Sequence, residues 1–426
     1  MLFARLLRGL VKSGGLTLID AKDRIHTIGC NDGRAPPLRV RLTESSLHWK
    51  LAVNPGLYAG EAYMDGTLRI EEGTIFDLLD LVTRNAGTAD LGSVARLRGL
   101  IIGLARLVQQ TNPLDRSRRN VAHHYDLSGA LYDLFLDADR QYSCAYFTEP
   151  GQPLEQAQAA KKRHIAAKLL LQPGQRVLDI GCGWGGLALT LARLADVEVL
   201  GVTLSKEQLA VARQRAAAAG LDGRVRFELR DYRELDDRFD RIVSVGMFEH
   251  VGRPQYGTFF HTVRRLLAED GVALLHSIGR MDGPGITNPW IRKYIFPGGY
   301  SPALSEVVPA VERSQLWITD VEVLRLHYAE TLRQWRQRFQ AQRAAAAALY
   351  DERFCRLWEF YLAGCECAFR HQGHMVFQMQ LARRVDAVPL TRTYMATEEQ
   401  ALARRDRSAD GTGIRAVSPA ARMARS

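Results

Sequence analysis

The stretch that decides the fold is VLDIGCGWGG, Val177 to Gly186. An apolar run from Arg176 to Ile180 reads as a strand, closely spaced glycines follow, and a helical pattern starts at Gly186. Gly181 and Gly183 carry no side chain, so the backbone there can touch a ligand. Open α/β sheets bind ligands beyond the carboxyl ends of their strands, where this turn falls. A bare G-x-G is weak; Asp179 at the strand end, with D-x-G-x-G behind it, is far more specific. Gly181, Gly183 and Gly186 also satisfy G-x-G-x-x-G, which makes NAD binding a formal rival. A dinucleotide fold places an acid at the tip of the second strand. Here that segment reads GVTLSKEQ, Gly201 to Gln208, with no acid at the tip.

Working outward, strands are expected at Val197 to Thr203, Val225 to Arg230, Arg241 to Val245 and Val272 to Ser277. Helices fall between them at Gly186 to Leu194, Ser205 to Ala219 and Tyr256 to Leu267. Strands alternating with helices of this length predict a parallel α/β sheet. Tyr328 to Arg370 reads as a long, Ala-rich, broken helical region, and Met375 to Arg383 as a final edge strand. Residues 1–112 mix short strand-like and helical runs and form one unit. A polar, Arg-rich stretch around Gln110 to Asn120 links it to a second unit, 113–396. Residues 397–426, rich in Ala, Arg, Ser and Gly, are expected to be a disordered basic tail.

The 426 residues suffice for two domains, and 46% apolar content supplies a core. No run approaches the roughly 18 apolar residues of a membrane span. Arg5 and Arg8 interrupt the first apolar stretch, so it is not a signal peptide and an intracellular, cytoplasmic protein is expected. Cys365 and Cys367 form a lone C-x-C, so no metal site is expected. The net charge of +10 favours anionic partners, nucleic acid or an anionic membrane face, without choosing between them.

VLDIGCGWGG, GVTLSKEQ, RIVSVGMFEHVG (Arg241 to Gly252) and the upstream HYDLS and YSCAYF together closely resemble the cyclopropane fatty acid synthase family. The resemblance covers roughly residues 50–395. It implies a class I methyltransferase fold: a Rossmann-like, mostly parallel seven-stranded sheet with helices on both faces, here with a smaller N-terminal α+β domain. It further implies that S-adenosylmethionine is bound with Asp179, Gly181 and Gly183 near its methionine part. Thr203 and Gln208 would stand at the ribose, Tyr232 and Arg233 beside the adenine, and Tyr142 and Ser143 over the amino-acid end.

The implied chemistry is methylene transfer to the cis double bond of an unsaturated phospholipid acyl chain. The alkene attacks the sulfonium methyl, positive charge develops on the lipid, and loss of a proton closes the ring. Such a site needs dryness, electron-rich walls and a positioned base. The family holds a bicarbonate ion there; its ligands map onto Cys144, Glu249, His276, the backbone of Ile278, and Tyr328. Tyr146, Phe147 and Phe248 are candidates for the electron-rich wall. His123 to Asp137 reads as a short amphipathic helix, and the resemblance implies that it caps the cofactor and borders the acyl channel.

Leu2, Phe3, Leu6, Leu7, Leu10 and Val11 repeat at helical spacing between basic residues, as do Leu97, Leu100, Ile101, Leu104, Leu107 and Val108. Basic amphipathic helices suit an anionic membrane surface, here the inner face; the alternative is helices packed on their own domain. Gly60 to Val82 resembles the N-terminal domain of phospholipid-acting members, which mycolic-acid-modifying relatives lack. The resemblance also implies a homodimer. Three rivals stand beside this reading. One is an acyl C-methyltransferase leaving a methyl or methylene branch; another is a catalytically dead lipid-binding protein. The third is a nucleic-acid methyltransferase, and against it and a nucleic-acid partner stands the absence of an N-P-P-Y-like motif for a flipped base.

Overall fold

The computed structural model describes residues 2–30, 37–86 and 128–411. The second amphipathic stretch (97–108), the linker and His123 to Leu127 lie outside the described residues.

The N-terminal unit runs α1 (Leu2–Leu10), β1 (Gly14–Ile19), β2 (Ile25–Cys30), β3 (Arg39–Leu42), α2 (Leu47–Val53), α3 (Pro55–Met64), β4 (Leu68–Glu72) and α4 (Ile75–Ala86). Its strands form a four-stranded sheet ordered β2-β1-β3-β4. Ala4, Leu7 and Val11 of the first amphipathic segment pack on this sheet's core, while Leu2 and Leu6 stay exposed.

The larger unit begins with α5 (Gly129–Asp133) and α6 (Leu154–Leu169), then β5 (Arg176–Ile180), α7 (Gly186–Ala195), β6 (Glu198–Thr203), α8 (Lys206–Ala218) and β7 (Val225–Leu229). It continues through β8 (Phe239–Val245), α9 (Tyr256–Leu266), β9 (Leu267–Arg280), α10 (Pro289–Tyr294), α11 (Leu304–Arg313) and β10 (Trp317–Leu324). The last elements are α12 (His327–Ala341), α13 (Arg343–Leu349), α14 (Glu352–His371), β11 (His374–Ala382) and α15 (Thr393–Gly411). The seven-stranded sheet is ordered β10-β11-β9-β8-β5-β6-β7. β9, β8, β5, β6 and β7 pair in parallel; the inner strands β5, β8 and β9 are buried along most of their length, while the edge strand β7 alternates.

Two sequence expectations are corrected. The Met375 to Arg383 segment is not the edge strand: β11 lies inside the sheet, antiparallel to both β9 and β10. The edge is β10, whose acids Asp320 and Glu322 break up its apolar pattern. Nor is the chain disordered from residue 397: α15 runs to Gly411. Leu402 is buried, Glu399 bonds His164, and Arg163 Nη1 pairs with Asp406 Oδ2 at 2.7 Å. Alanine-rich composition hid this docking face; residues 412–426 lie outside the described residues.

The two units share a packed face. Fully buried Trp290 of α10 lies against Gly60 of α3, where a Cβ would come within 2.4 Å of the indole nitrogen. Tyr63 Oη donates to Glu359 Oε2 of α14 at 2.9 Å, and Lys293 Nζ donates to Glu61 Oε1 at 2.7 Å.

Candidate active site

A cavity opens beyond the carboxyl ends of β5, β6 and β8. Every residue the sequence assigned to the cofactor lines it: Tyr142, Ser143, Asp179, Gly181, Gly183, Thr203, Gln208, Tyr232 and Arg233. Gly181 (φ +81°) and Gly183 (φ +54°) both take positive φ, and a Cβ built on Gly183 meets nothing within 4 Å. The turn therefore presents bare backbone to open space. Asp179, the penultimate residue of β5, has Oδ2 buried and unpartnered, and burial pushes its carboxyl up to about 7. Thr203 Oγ1 donates to Gln208 Oε1 at 3.0 Å, so two neutral groups stand where a dinucleotide fold keeps an acid. Tyr232 and Arg233 form a tight turn after β7, with the Arg233 guanidinium folded back on Asp231. The segment 141–143 is held from below by α6. Gln158 Nε2 donates to the Gln141 and Ser143 carbonyls at 3.1 and 3.0 Å, and Lys161 Nζ to Ser143 Oγ at 2.8 Å.

A second cavity shares Tyr142, Ser143, Gly246 and His250 with the first. It gathers Cys144, Glu249, His276, Ile278 and Tyr328 from four separate segments, His276 and Ile278 both from β9. Ile291, Phe296 and Val376 make much of the remaining wall apolar. Burial drives the Cys144 thiol up and His276 well below its ordinary value, so both are neutral. Glu249 is pushed up to about 7 by burial, against a hydrogen bond from the Ile278 amide. That bond engages the backbone donor which the family resemblance assigned to an anion. Two buried polar atoms on this wall lack partners, Glu249 Oε2 and His276 Nε2. Gln378 Nε2 lies 3.2 Å from His276 Nδ1; donating there, it leaves the imidazole proton on Nε2. Glu249 and His276 both line this cavity, and each brings one buried polar atom that the protein leaves unpartnered.

Three candidate wall aromatics stand elsewhere. Phe248 is buried in a stack with Tyr256 and Phe259. Tyr146 is sandwiched between His164 and His327, and Phe147 packs on His327. The rings on the second cavity are Tyr142, Phe296, Tyr300 and Tyr328 instead. The sequence reading also missed Lys161, and His250, which lines both cavities and whose place beside Glu249 was the available signal.

The sheet order, the glycine turn and the paired cavities define a class I S-adenosylmethionine-dependent methyltransferase. A family model described as mycolic acid cyclopropane synthetase matches residues 112–379. The chain is 38% identical to the cyclopropane-fatty-acyl-phospholipid synthase of Escherichia coli K12, over 86% of this chain and 93% of that protein. It is 38% identical to a "Probable fatty acid methyltransferase" of Pseudomonas putida, over 79% of this chain and 85% of that protein. The solved structure of mycolic acid cyclopropane synthase CmaA1 with SAH and CTAB is 37% identical, with a TM-score of 0.60. That alignment covers 64% of this chain and 99% of CmaA1. The chain belongs to the mycolic acid cyclopropane synthetase family.

Proposed function

We propose that the protein transfers a methylene group from S-adenosylmethionine to the cis double bond of an unsaturated phospholipid acyl chain, forming a cyclopropane fatty acid. The observation that carries this reading is the shared wall. A cofactor cavity opens at Tyr142, Ser143, Gly246 and His250 onto a largely apolar cavity that contains two orphaned polar atoms. An acyl chain suits Ile291, Phe296 and Val376; the rings of Phe296, Tyr300 and Tyr328 suit a developing carbocation.

Glu249 and His276 would hold bicarbonate, with Cys144 and Tyr328 closing the niche. Bound there, bicarbonate would supply a base small enough to reach the transferred methyl. Glu249, protonated below about pH 7, donates through Oε2 and so avoids repulsion between two anions.

Phospholipid is favoured over a mycolic chain because CmaA1 aligns with 64% of this chain and the Escherichia coli phospholipid synthase with 86%. We place the protein on the inner membrane face through α1 and α2. These helices expose Leu6 (50%), Trp49 (65%) and Val53 (73%) beside Arg5, Arg8 and Lys50. No helix among the described residues is long and apolar enough to cross a membrane.

A second reading, methyl transfer without ring closure, is favoured by the name of the Pseudomonas relative. The test is to express the chain in a host without cyclopropane lipids and profile its fatty acids by mass spectrometry. The proposal expects monounsaturated chains to gain one CH2 and lose reactivity as alkenes.

A further inference from the structure

α6 places Gln158 and Lys161 three residues apart on one helical face, under the segment that separates the two cavities. Lys161 is fully buried and lines the cofactor cavity. Among the described residues no carboxylate stands within ion-pair distance of it; Asp139 is engaged by Lys162 and Arg215. Its bonds run to neutral groups, Gln141 Oε1 at 2.7 Å and Ser143 Oγ at 2.8 Å. A buried ammonium with no carboxylate in contact is costly; burial lowers this one to about 8, with the more distant Asp137 and Asp139 acting the other way.

The arrangement dictates what Ser143 offers. Its oxygen accepts from the ammonium, so its own proton is free to be donated. Gln158 fixes the Ser143 backbone, so that donor has a set position. The same cavity holds an orphaned acceptor, Asp179 Oδ2. One buried cation with no carboxylate in contact, its polarised donor and one free acceptor together complement an α-amino acid zwitterion.

We propose that Lys161 is the positioning residue that makes the cofactor cavity select a carboxylate-bearing ligand, acting through Ser143 on the methionine carboxylate of S-adenosylmethionine. The proposal rests on reading this cavity as the cofactor site. In this arrangement the charge of Lys161 reaches the ligand through the Ser143 hydroxyl, which keeps the ammonium dry.

Calorimetry on the full chain tests it with S-adenosylhomocysteine, which carries the amino acid, and 5′-methylthioadenosine, which lacks it. Lys161→Met should weaken S-adenosylhomocysteine between about tenfold and a hundredfold and leave methylthioadenosine within about twofold. Gln208→Ala should weaken both. Equal losses of the two ligands in Lys161→Met would overturn the assignment of the lysine. So would a wild-type protein that binds decarboxylated S-adenosylmethionine as tightly as the parent, a measurement that needs no variant to fold. If Gln208→Ala changes neither affinity, the cavity is not the cofactor site and the proposal falls with that reading.

Discussion

The Ile278 amide donates to Glu249 Oε1 at 2.6 Å, and this one bond organises the second cavity. It joins the tip of β9 to the turn after β8 and fixes the carboxyl, leaving Oε2 buried with no partner. A carboxyl so placed is satisfied on one oxygen by the protein and on the other only by a ligand.

Its protonation has a measurable consequence. Burial raises the folded pKa from 4.5 to about 7, so the unfolded chain loses the proton first as pH rises. The native state is therefore progressively penalised between about pH 4.5 and pH 7, by roughly 3 kcal/mol at most. Glu249→Gln should raise the melting temperature at pH 8 and give no gain at pH 4. A gain that does not change with pH would exclude a protonated native carboxyl.

The same variant should be inactive. Glu249→Gln and His276→Ala are expected to lose about a hundredfold or more in turnover while S-adenosylhomocysteine affinity is kept. Removing dissolved carbon dioxide should slow the wild-type protein, and added bicarbonate should restore it. Full activity in degassed, bicarbonate-free buffer would refute the anion niche.

At the other cavity, Gly183→Ala should lower cofactor affinity with the fold retained. A Cβ there enters open space rather than protein, and the positive φ costs an alanine about 1–2 kcal/mol. Calorimetry reads the affinity and circular dichroism the fold; unchanged affinity would remove this turn from the site.

The glycine turn, Thr203 and Gln208 were legible because strand, turn and helix signals coincide within a few residues. Glu249 and His276 were legible as residues at strand ends. Lys161 was not, because α6 buries Gln158, Lys161, His164 and Lys168, and a helix with charges on its inner face has no apolar stripe to read. Phe296 and Tyr300 come from the irregular stretch flanking α10, where no periodicity applies. Phe248 was misread because adjacency to Glu249 in sequence does not fix which way a side chain turns; it points into the core beneath α9.

The C-terminal helix should be pH-sensitive. Burial disfavours the charged form of His164, but Glu322 and Glu399 outweigh it and hold the pKa above its ordinary value. This contribution is complete below about pH 6.5 and is lost as pH rises through the folded pKa. Proteolysis within α15 should quicken over that range, and Glu399→Gln should quicken it at pH 6. Cleavage rates independent of pH in both proteins would deny His164 this role.

At the membrane, Leu6→Ser with Trp49→Ser should weaken binding to anionic vesicles without changing S-adenosylhomocysteine affinity. Raised salt should weaken the wild-type protein further. Undiminished vesicle sedimentation by the double variant would move the lipid-facing surface elsewhere.

The central claim is ring closure on a lipid chain, and the fate of the transferred hydrogens tests it most directly. The purified protein is given methyl-deuterated S-adenosylmethionine and vesicles of monounsaturated phospholipid, and the product acids are examined by mass spectrometry. A parallel reaction with unlabelled cofactor is examined by proton NMR. Ring closure leaves two deuteriums on the transferred carbon and gives the upfield resonances of a cyclopropane ring. Three retained deuteriums, with no upfield resonance, would show a methyl transfer that stops short of the ring and would contradict it.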